Sequence, residues 1–144
     1  MSRLAVLCVL LGMFAGADAE DLFGEWWTPG FNARVLIYPC AEKACGKITW
    51  LWEETPNDIA DRKPLVGRMI FSGLERGSHD TWDGRIYNPE DGRSYTSHVG
   101  LISIDELEVS GCVLMFCKRQ VWRRFDALQC PPVAPESSQI SSSP

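Results

Sequence analysis

The chain carries two histidines and several closely spaced carboxylates, the residue types that general acid and base catalysis requires. The candidate acids form two pairs, Asp80 with Asp83 and Glu90 with Asp91. The candidate bases are His79 and His98. Neither histidine has a partner at a metal-ligand spacing, and the sequence contains no G-x-S-x-G, phosphate-binding glycine loop or H-E-x-x-H motif. Because the acids fall in a turn or on an outward strand position, we predict no catalytic residue, metal site or cofactor, and a small hydrolase is the weakest hypothesis.

The cysteines have the spacing of a disulfide set. Cys8 lies in an N-terminal apolar stretch, and the five that follow it are Cys40, Cys45, Cys112, Cys117 and Cys130. The first two and the next two share a five-residue offset, so each pair could bridge its own hairpin, while a long-range bridge between the pairs is also open. A tetrahedral zinc site is less favoured because its usual ligand spacing is tighter. Cys130 would be a free thiol or would join two copies in a dimer.

The N-terminal 19 residues have the pattern of a secretory signal peptide. Arg3 precedes an apolar run from Leu4 to Ala15, and Ala17 and Ala19 are the small residues that a signal peptidase reads. The run is too short to span a bilayer. From this pattern we expect an exported protein that does not insert into the membrane after the signal peptide is removed. The formal charge of -5 offers no basic face, so we expect binding neither to nucleic acid nor to anionic lipid surfaces.

The rest of the chain reads as one β domain, residues 20–130, followed by a disordered tail rich in proline and serine at 131–144. Eight segments are rich in β-branched and aromatic residues and are separated by turn signals. The predicted strands are Phe23–Thr28, Ala33–Cys40, Gly46–Glu53, Gly67–Leu74, Thr81–Asn88, Arg93–Ile104, Leu107–Cys112 and Lys118–Phe125. The clearest hairpin turn is Asn88–Gly92, where Gly92 can adopt a positive φ. One-sided strands of this kind predict a closed antiparallel barrel or a sandwich, with a short insert at 54–66 that could cover a barrel mouth.

Six tryptophans are a high number for a domain of this size. Alternation by twos puts Ile48, Trp50 and Trp52 on one face of their strand, and Trp82 and Ile86 on the inner face of another. The interior of a small barrel is either filled by such side chains or wide enough for one ligand. If a cavity exists, we expect an apolar or ring-bearing ligand, and the candidate lining residues are Trp50, Trp52, Met69 and Trp82.

Both ends of the domain resemble the calycin barrels, which include the lipocalins. Gly24-Glu25-Trp26 opens the first strand and Trp122-Arg123-Arg124 closes the last. In calycins an early G-x-W tryptophan packs beside an arginine of the final strand, so the resemblance implies an eight-stranded antiparallel barrel in which Trp26 lies under Arg124 or Arg123. A guanidinium can stack on an indole while it donates hydrogen bonds to nearby carbonyls.

A longer resemblance spans residues 23–125 and involves several blocks in a fixed order. They include Cys45-Gly46-Lys47-Ile48, Pro64-Leu65-Val66-Gly67, the stretch from Trp82 to Tyr95, and Gln120-Val121-Trp122. This series is similar to the exported bacterial family called domain of unknown function 2147, in which Arg124 is the matching arginine. The family implies no established activity, substrate or catalytic residue.

These observations together favour a non-enzymatic calycin-like barrel of the bacterial cell envelope, periplasmic or secreted, that binds a small apolar or amphipathic ligand. The alternative is a fully packed barrel whose loops or edges bind a protein or a polymer.

Overall fold

The computed structural model describes residues 19–52 and 63–126, which form one closed antiparallel barrel of eight strands. The strands are β1 (Gly24–Trp27), β2 (Ala33–Cys40), β3 (Lys43–Leu51), β4 (Met69–Arg76), β5 (Thr81–Asn88), β6 (Arg93–Ser103), β7 (Glu106–Val113) and β8 (Phe116–Arg124). Each strand pairs with the next along the chain, and β8 pairs with β1 to complete the barrel. The predicted all-β calycin-like fold is therefore confirmed.

Several expectations concern segments outside the described residues. These are the signal peptide, the tail at 131–144, Cys130 and most of the insert between β3 and β4. The only helices of the described ranges are two short 3₁₀ turns, at Ala19–Leu22 and Pro29–Phe31. Within those ranges no helix has both the length and the apolar character needed to span a membrane.

The up-and-down topology gives the barrel two different ends. The turns β2–β3, β4–β5 and β6–β7 lie at one end together with the N-terminal 3₁₀ turn, and we call this the closed end. The connections β1–β2, β3–β4, β5–β6 and β7–β8 lie at the other, which we call the open end. Side chains alternate along each strand, so every second residue points inward. On β7 these are Leu107 and Val109, both buried in the core.

The register of the barrel shifts at several points, and two of these β-bulges decide on which face Trp50 and Met69 lie. On β3, Trp50 pairs with Arg34 while Ile48 pairs with Val35, so Thr49 is an extra residue and the alternation reverses after it. On β4, Phe71 pairs with Gly46 and Met69 pairs with Lys47, which leaves Ile70 as the extra residue. Gly46 is needed here, because a Cβ at this position would lie 2.6 Å from the Phe71 ring.

The disulfides join cysteines within one hairpin each. Cys40 pairs with Cys45 at the β2–β3 turn, and Cys112 pairs with Cys117 at the β7–β8 turn, with Cα atoms 5.7 Å and 4.0 Å apart. The local pairing is thus the observed one, and the long-range bridge and the zinc site that the sequence left open are not formed. One bridge sits at each end of the barrel.

Candidate ligand-binding cavity

A cavity of about 770 Å³ opens at the open end of the barrel. Its size lies within the range of roughly 300–1,000 Å³ that is common for small-molecule sites. Residues from every strand except β1 contribute to its wall, together with the β1–β2 and β5–β6 connections and Leu65. The barrel is therefore not packed along its whole length: the closed half is filled and the open half is hollow.

The inner part of the cavity is apolar. Its wall is formed by inward side chains that are themselves shielded from solvent: Val35, Ile48, Leu65, Ile70, Val109 and Trp122. The indole nitrogen of Trp122 donates to Gln120 Oε1 at 3.0 Å, so the polar edge of this ring is satisfied and the ring can contact an apolar ligand. This surface suits the hydrocarbon part of a ligand.

Polar side chains surround the mouth of the cavity. They come from three separate elements, namely Thr28 and Asn32 after β1, Asn88, Glu90 and Tyr95 around the β5–β6 turn, and Lys118 and Gln120 on β8. Lys118 pairs with Gly111 and occupies an inward position of β8, so a cation lines the entrance. An apolar interior with a polar entrance is the arrangement expected for an amphipathic ligand.

The β5–β6 turn is held by its own hydrogen bonds. Gly92 N donates to Asn88 O at 2.9 Å with Gly92 at φ 70°, as the sequence predicts for this hairpin. Asn88 Oδ1 accepts from Glu90 N and Asp91 Oδ1 from Arg93 N, at 3.1 and 2.9 Å. The Tyr95 hydroxyl also donates to Asp91 Oδ2, which lowers the pKa of Asp91 and raises the pKa of Tyr95. At neutral pH this side of the mouth therefore keeps an ionised Asp91 and a protonated Tyr95.

The β7–β8 hairpin forms another side of the mouth, and its turn is apolar. Val113, Leu114, Met115 and Phe116 occupy four successive positions between the two bridged cysteines. Their exposed fractions range from 52% to 94%, the largest on Leu114. Val113 and Phe116 also line the cavity. Solvated apolar surface is thus continuous with the cavity entrance.

None of the four predicted ligand-binding residues lines this cavity. Trp82 is buried near the closed end, where its ring lies 6.4 Å from that of Phe23. The predicted interior position is wrong for Trp50, Trp52 and Met69. The bulge at Thr49 turns Trp50 to the outer face, and Trp52 is 61% exposed beside it.

Met69 is displaced in the same way by the bulge at Ile70. It is 41% exposed, and its sulfur accepts a hydrogen bond from the Tyr38 hydroxyl at 3.6 Å on the outer face. Ile70 takes the interior position that alternation assigns to Met69. The lining residues missed from the sequence include Val35, Val109 and Trp122, whose alternation on β2, β7 and β8 was the available signal.

An outer cluster explains where Trp50 lies instead. The Arg34 guanidinium is 5.5 Å from the ring centres of Trp27 and Trp50 and 4.3 Å from that of Phe125. Arg34 Nη1 also donates to Glu25 Oε2 at 3.1 Å. These contacts join β1, β2, β3 and the end of β8, so the tryptophans of this cluster stabilise the outside of the barrel where β8 pairs with β1, which we call the seam.

The closed end is tied together by Arg124. Its guanidinium lies 4.1 Å from the Trp26 ring centre, the contact that the calycin resemblance implies. Nε donates to Ile104 O at 2.6 Å, Nη1 donates to Phe23 O at 3.1 Å, and Nη2 donates to Asp21 O. One side chain thereby connects β8 to the β6–β7 turn and to the segment before β1.

Of the acids and histidines that the sequence offered for catalysis, Glu90 and Asp91 lie at the cavity mouth, but no histidine lies beside them. His98 Nδ1 lies 2.6 Å from Asp83 Oδ1, and both side chains are partly exposed on the outer wall. Ser110, the residue paired with His98 on β7, donates its hydroxyl to the His98 carbonyl rather than to the imidazole. In the described ranges, no group of three or more His, Cys, Asp or Glu side chains could hold a metal ion.

The fold and cavity define a lipocalin-like barrel with one closed and one open end. The chain belongs to a family described as uncharacterised proteins conserved in bacteria (DUF2147), whose model matches residues 24–124. Among solved structures it is similar to protein HP1028 of the human pathogen Helicobacter pylori, which is described as belonging to the lipocalin family. That likeness has a TM-score of 0.59 at 20% identity and covers 74% of this chain and 84% of the other. No curated protein matches the sequence.

Proposed function

We propose that this protein is a non-enzymatic binding protein for a small amphipathic ligand, acting outside the bacterial cytoplasm. The observation that carries the proposal is the hollow open half of the barrel, which is apolar inside and polar at its mouth. The hydrocarbon part of the ligand would contact Val35, Val109 and Trp122. Its head would lie at the entrance, where Lys118 favours a group with acceptor oxygens such as a carboxylate.

An extracytoplasmic location is supported by the two disulfides. Such bridges persist in oxidising compartments and are rare in the reducing cytosol. Each bridge closes a short hairpin, so it stabilises a turn that would otherwise fray rather than holding distant parts of the chain together. The N-terminal pattern of a signal peptide agrees with the same location.

The proposal is tested by titrating the disulfide-intact protein with fatty acids of increasing length. Of the six tryptophans Trp122 lines the cavity, so its emission should shift and saturate as the acid binds. V109F places a larger side chain in the cavity, and V121F makes the same change at the neighbouring outward position on β8. We expect V109F to weaken binding at least tenfold and V121F to leave it unchanged.

Overpacking can also unfold a barrel, so both variants are compared with the parent by circular dichroism and urea denaturation. A folded V109F that binds as tightly as V121F would show that the ligand does not enter the cavity. Absence of saturable binding by the parent protein across the fatty acid series, and no retained mass in its native mass spectrum after export, would reject the proposal.

A further inference from the structure

The apolar tip of the β7–β8 hairpin, Val113-Leu114-Met115-Phe116, is not explained by the fold. Leu114 and Met115 lie beyond the ends of the strands, while Val113 and Phe116 form the last residue pair of the β7–β8 ladder and are 52% and 80% exposed at the cavity mouth. Leu114 has φ 54°, a left-handed conformation that favours glycine or asparagine in a tight turn. The chain therefore places a large apolar side chain in water at a position where its backbone is strained.

We propose that this apolar tip inserts into the surface of a lipid bilayer. The two residues that follow the bridge, Lys118 and Arg119, are both exposed cations. Lys118 faces the cavity mouth, and Arg119 lies on the outer wall, where its Nε is 4.0 Å from Glu108 Oε1 in an exposed ion pair that contributes little in water. Between Ser110 and Arg119 the hairpin contains no acidic residue. Apolar side chains with cations just behind them match the order of hydrocarbon and anionic headgroups at a bilayer surface.

The shape and size of the tip favour lipid over a protein partner. A stable protein interface needs roughly 800 Å² and 20–30 residues from each partner, whereas this surface has four successive side chains at a convex turn. The Cys112–Cys117 bridge already fixes the turn, so insertion costs little loss of conformational freedom. Leu, Met and Phe side chains at the end of a rigid hairpin can insert into the hydrocarbon of a bilayer without a complementary protein surface.

The overall charge of -5 argues against attachment of the whole protein surface to anionic lipid. The apolar tip differs from the rest of the protein because it has no acidic residue and is followed by two cations. The neighbouring β5–β6 turn carries Glu90 and Asp91 and would stay in water. Insertion would then be shallow, reversible and limited to one hairpin, with an affinity on the order of that of a single acyl chain, about 10⁴ M⁻¹. The cavity mouth, which shares Val113 and Phe116 with the tip, would face the lipid.

The test is flotation of the disulfide-intact protein with vesicles of phosphatidylethanolamine and phosphatidylglycerol, and with vesicles of phosphatidylcholine alone. We expect the parent protein to float with the first and several-fold less with the second. L114S/F116S should lower the floating fraction at least tenfold. The control I102S/I104S removes two exposed apolar side chains near the closed end and should leave flotation unchanged.

A second readout reports insertion directly. M115W, at an exposed position of the tip outside the cavity wall, should float as the parent does and gain fluorescence quenching by brominated lipid, which a role of Met115 in folding alone would not produce. A parent protein that stays with the protein-only fraction would overturn the proposal, as would L114S/F116S floating like the parent. A tip variant that abolishes self-association in light scattering, with no flotation by the parent, would assign the tip to a second copy and also overturn it. The outcome is independent of the proposed function, because extraction of a lipid into the cavity would not make the protein float.

Discussion

The two disulfide hairpins share a bridge spacing and a positive φ at the first turn residue but differ in register and in chemistry: Cys112 pairs directly with Cys117, whereas Cys40 pairs with Lys43. Both bridges join cysteines five residues apart, and both turns begin with a non-glycine residue at nearly the same positive φ, 55° at Ala41 and 54° at Leu114. At the closed end the turn is Ala41-Glu42, followed by Lys43, which pairs with Glu75 at 2.6 Å. At the open end the corresponding residues are all large and apolar.

This difference shows which features the hairpin needs in order to form and which features concern only its exposed surface. The β2–β3 turn shows that a small side chain satisfies the left-handed position in this fold and that polar neighbours are compatible with the bridge. The apolar composition of the β7–β8 turn is therefore not a requirement of the barrel. It belongs to the end that also carries the cavity mouth.

The largest effect should come from breaking the closed end. R124M removes the donors to Ile104 O, Phe23 O and Asp21 O and the cation over Trp26, and we expect a loss of about 3 kcal/mol in the free energy of unfolding. R123M is the matched control, since the Arg123 side chain makes an exposed ion pair with Glu106 at 3.6 Å and its loss should change stability by less than about 1 kcal/mol. Urea denaturation measures both, and equal losses would contradict the role assigned to Arg124.

Removing each bridge should have the next largest effect. For loops of about six residues, chain entropy predicts that C40S/C45S and C112S/C117S each lose about 2 kcal/mol of stability. Only C112S/C117S should also lower flotation with anionic vesicles, because it alone loosens the apolar tip. If C40S/C45S lowered flotation as much, the difference between the hairpins would be one of stability and not of surface.

Replacing the first residue of each turn should have the smallest effect on stability. L114G and A41G relieve the same left-handed strain, so each should raise the free energy of unfolding by at most about 1 kcal/mol. L114G should at the same time reduce flotation, and A41G should not. An L114G protein that is more stable but floats less with vesicles would show that Leu114 serves membrane attachment and not folding. An L114G protein that floats like the parent would show that Leu114 does not contact the lipid.

The strands and the β5–β6 hairpin could be predicted from the sequence because their signals are local. Alternation along β7 and the proline and glycine of the turn at Asn88–Gly92 report the structure within a few residues. Local cysteine pairing was one of the arrangements left open, and the structure selects it. The resemblance added the contact between Trp26 and Arg124, which joins residues far apart in the chain.

The cavity wall could not be predicted in the same way. A bulge inserts one residue and reverses every inward and outward assignment beyond it, and neither Thr49 nor Ile70 carries a sequence feature that marks it as the extra residue. Trp50 and Met69 were therefore assigned to the wrong face. The Asp83–His98 contact was missed for a related reason, since it depends on the register between β5 and β6.

The seam of the barrel has a consequence for its motions. Strand β1 is four residues long and meets β8 through two residue pairs and one further backbone hydrogen bond, from Phe125 N to Glu25 O. Every other neighbouring pair of strands in the barrel is longer, so partial opening costs least here. The contacts of Arg34 on the outer face and of Arg124 at the closed end hold the two strands of this seam together. We therefore expect local opening of the barrel to begin sideways, between β1 and β8.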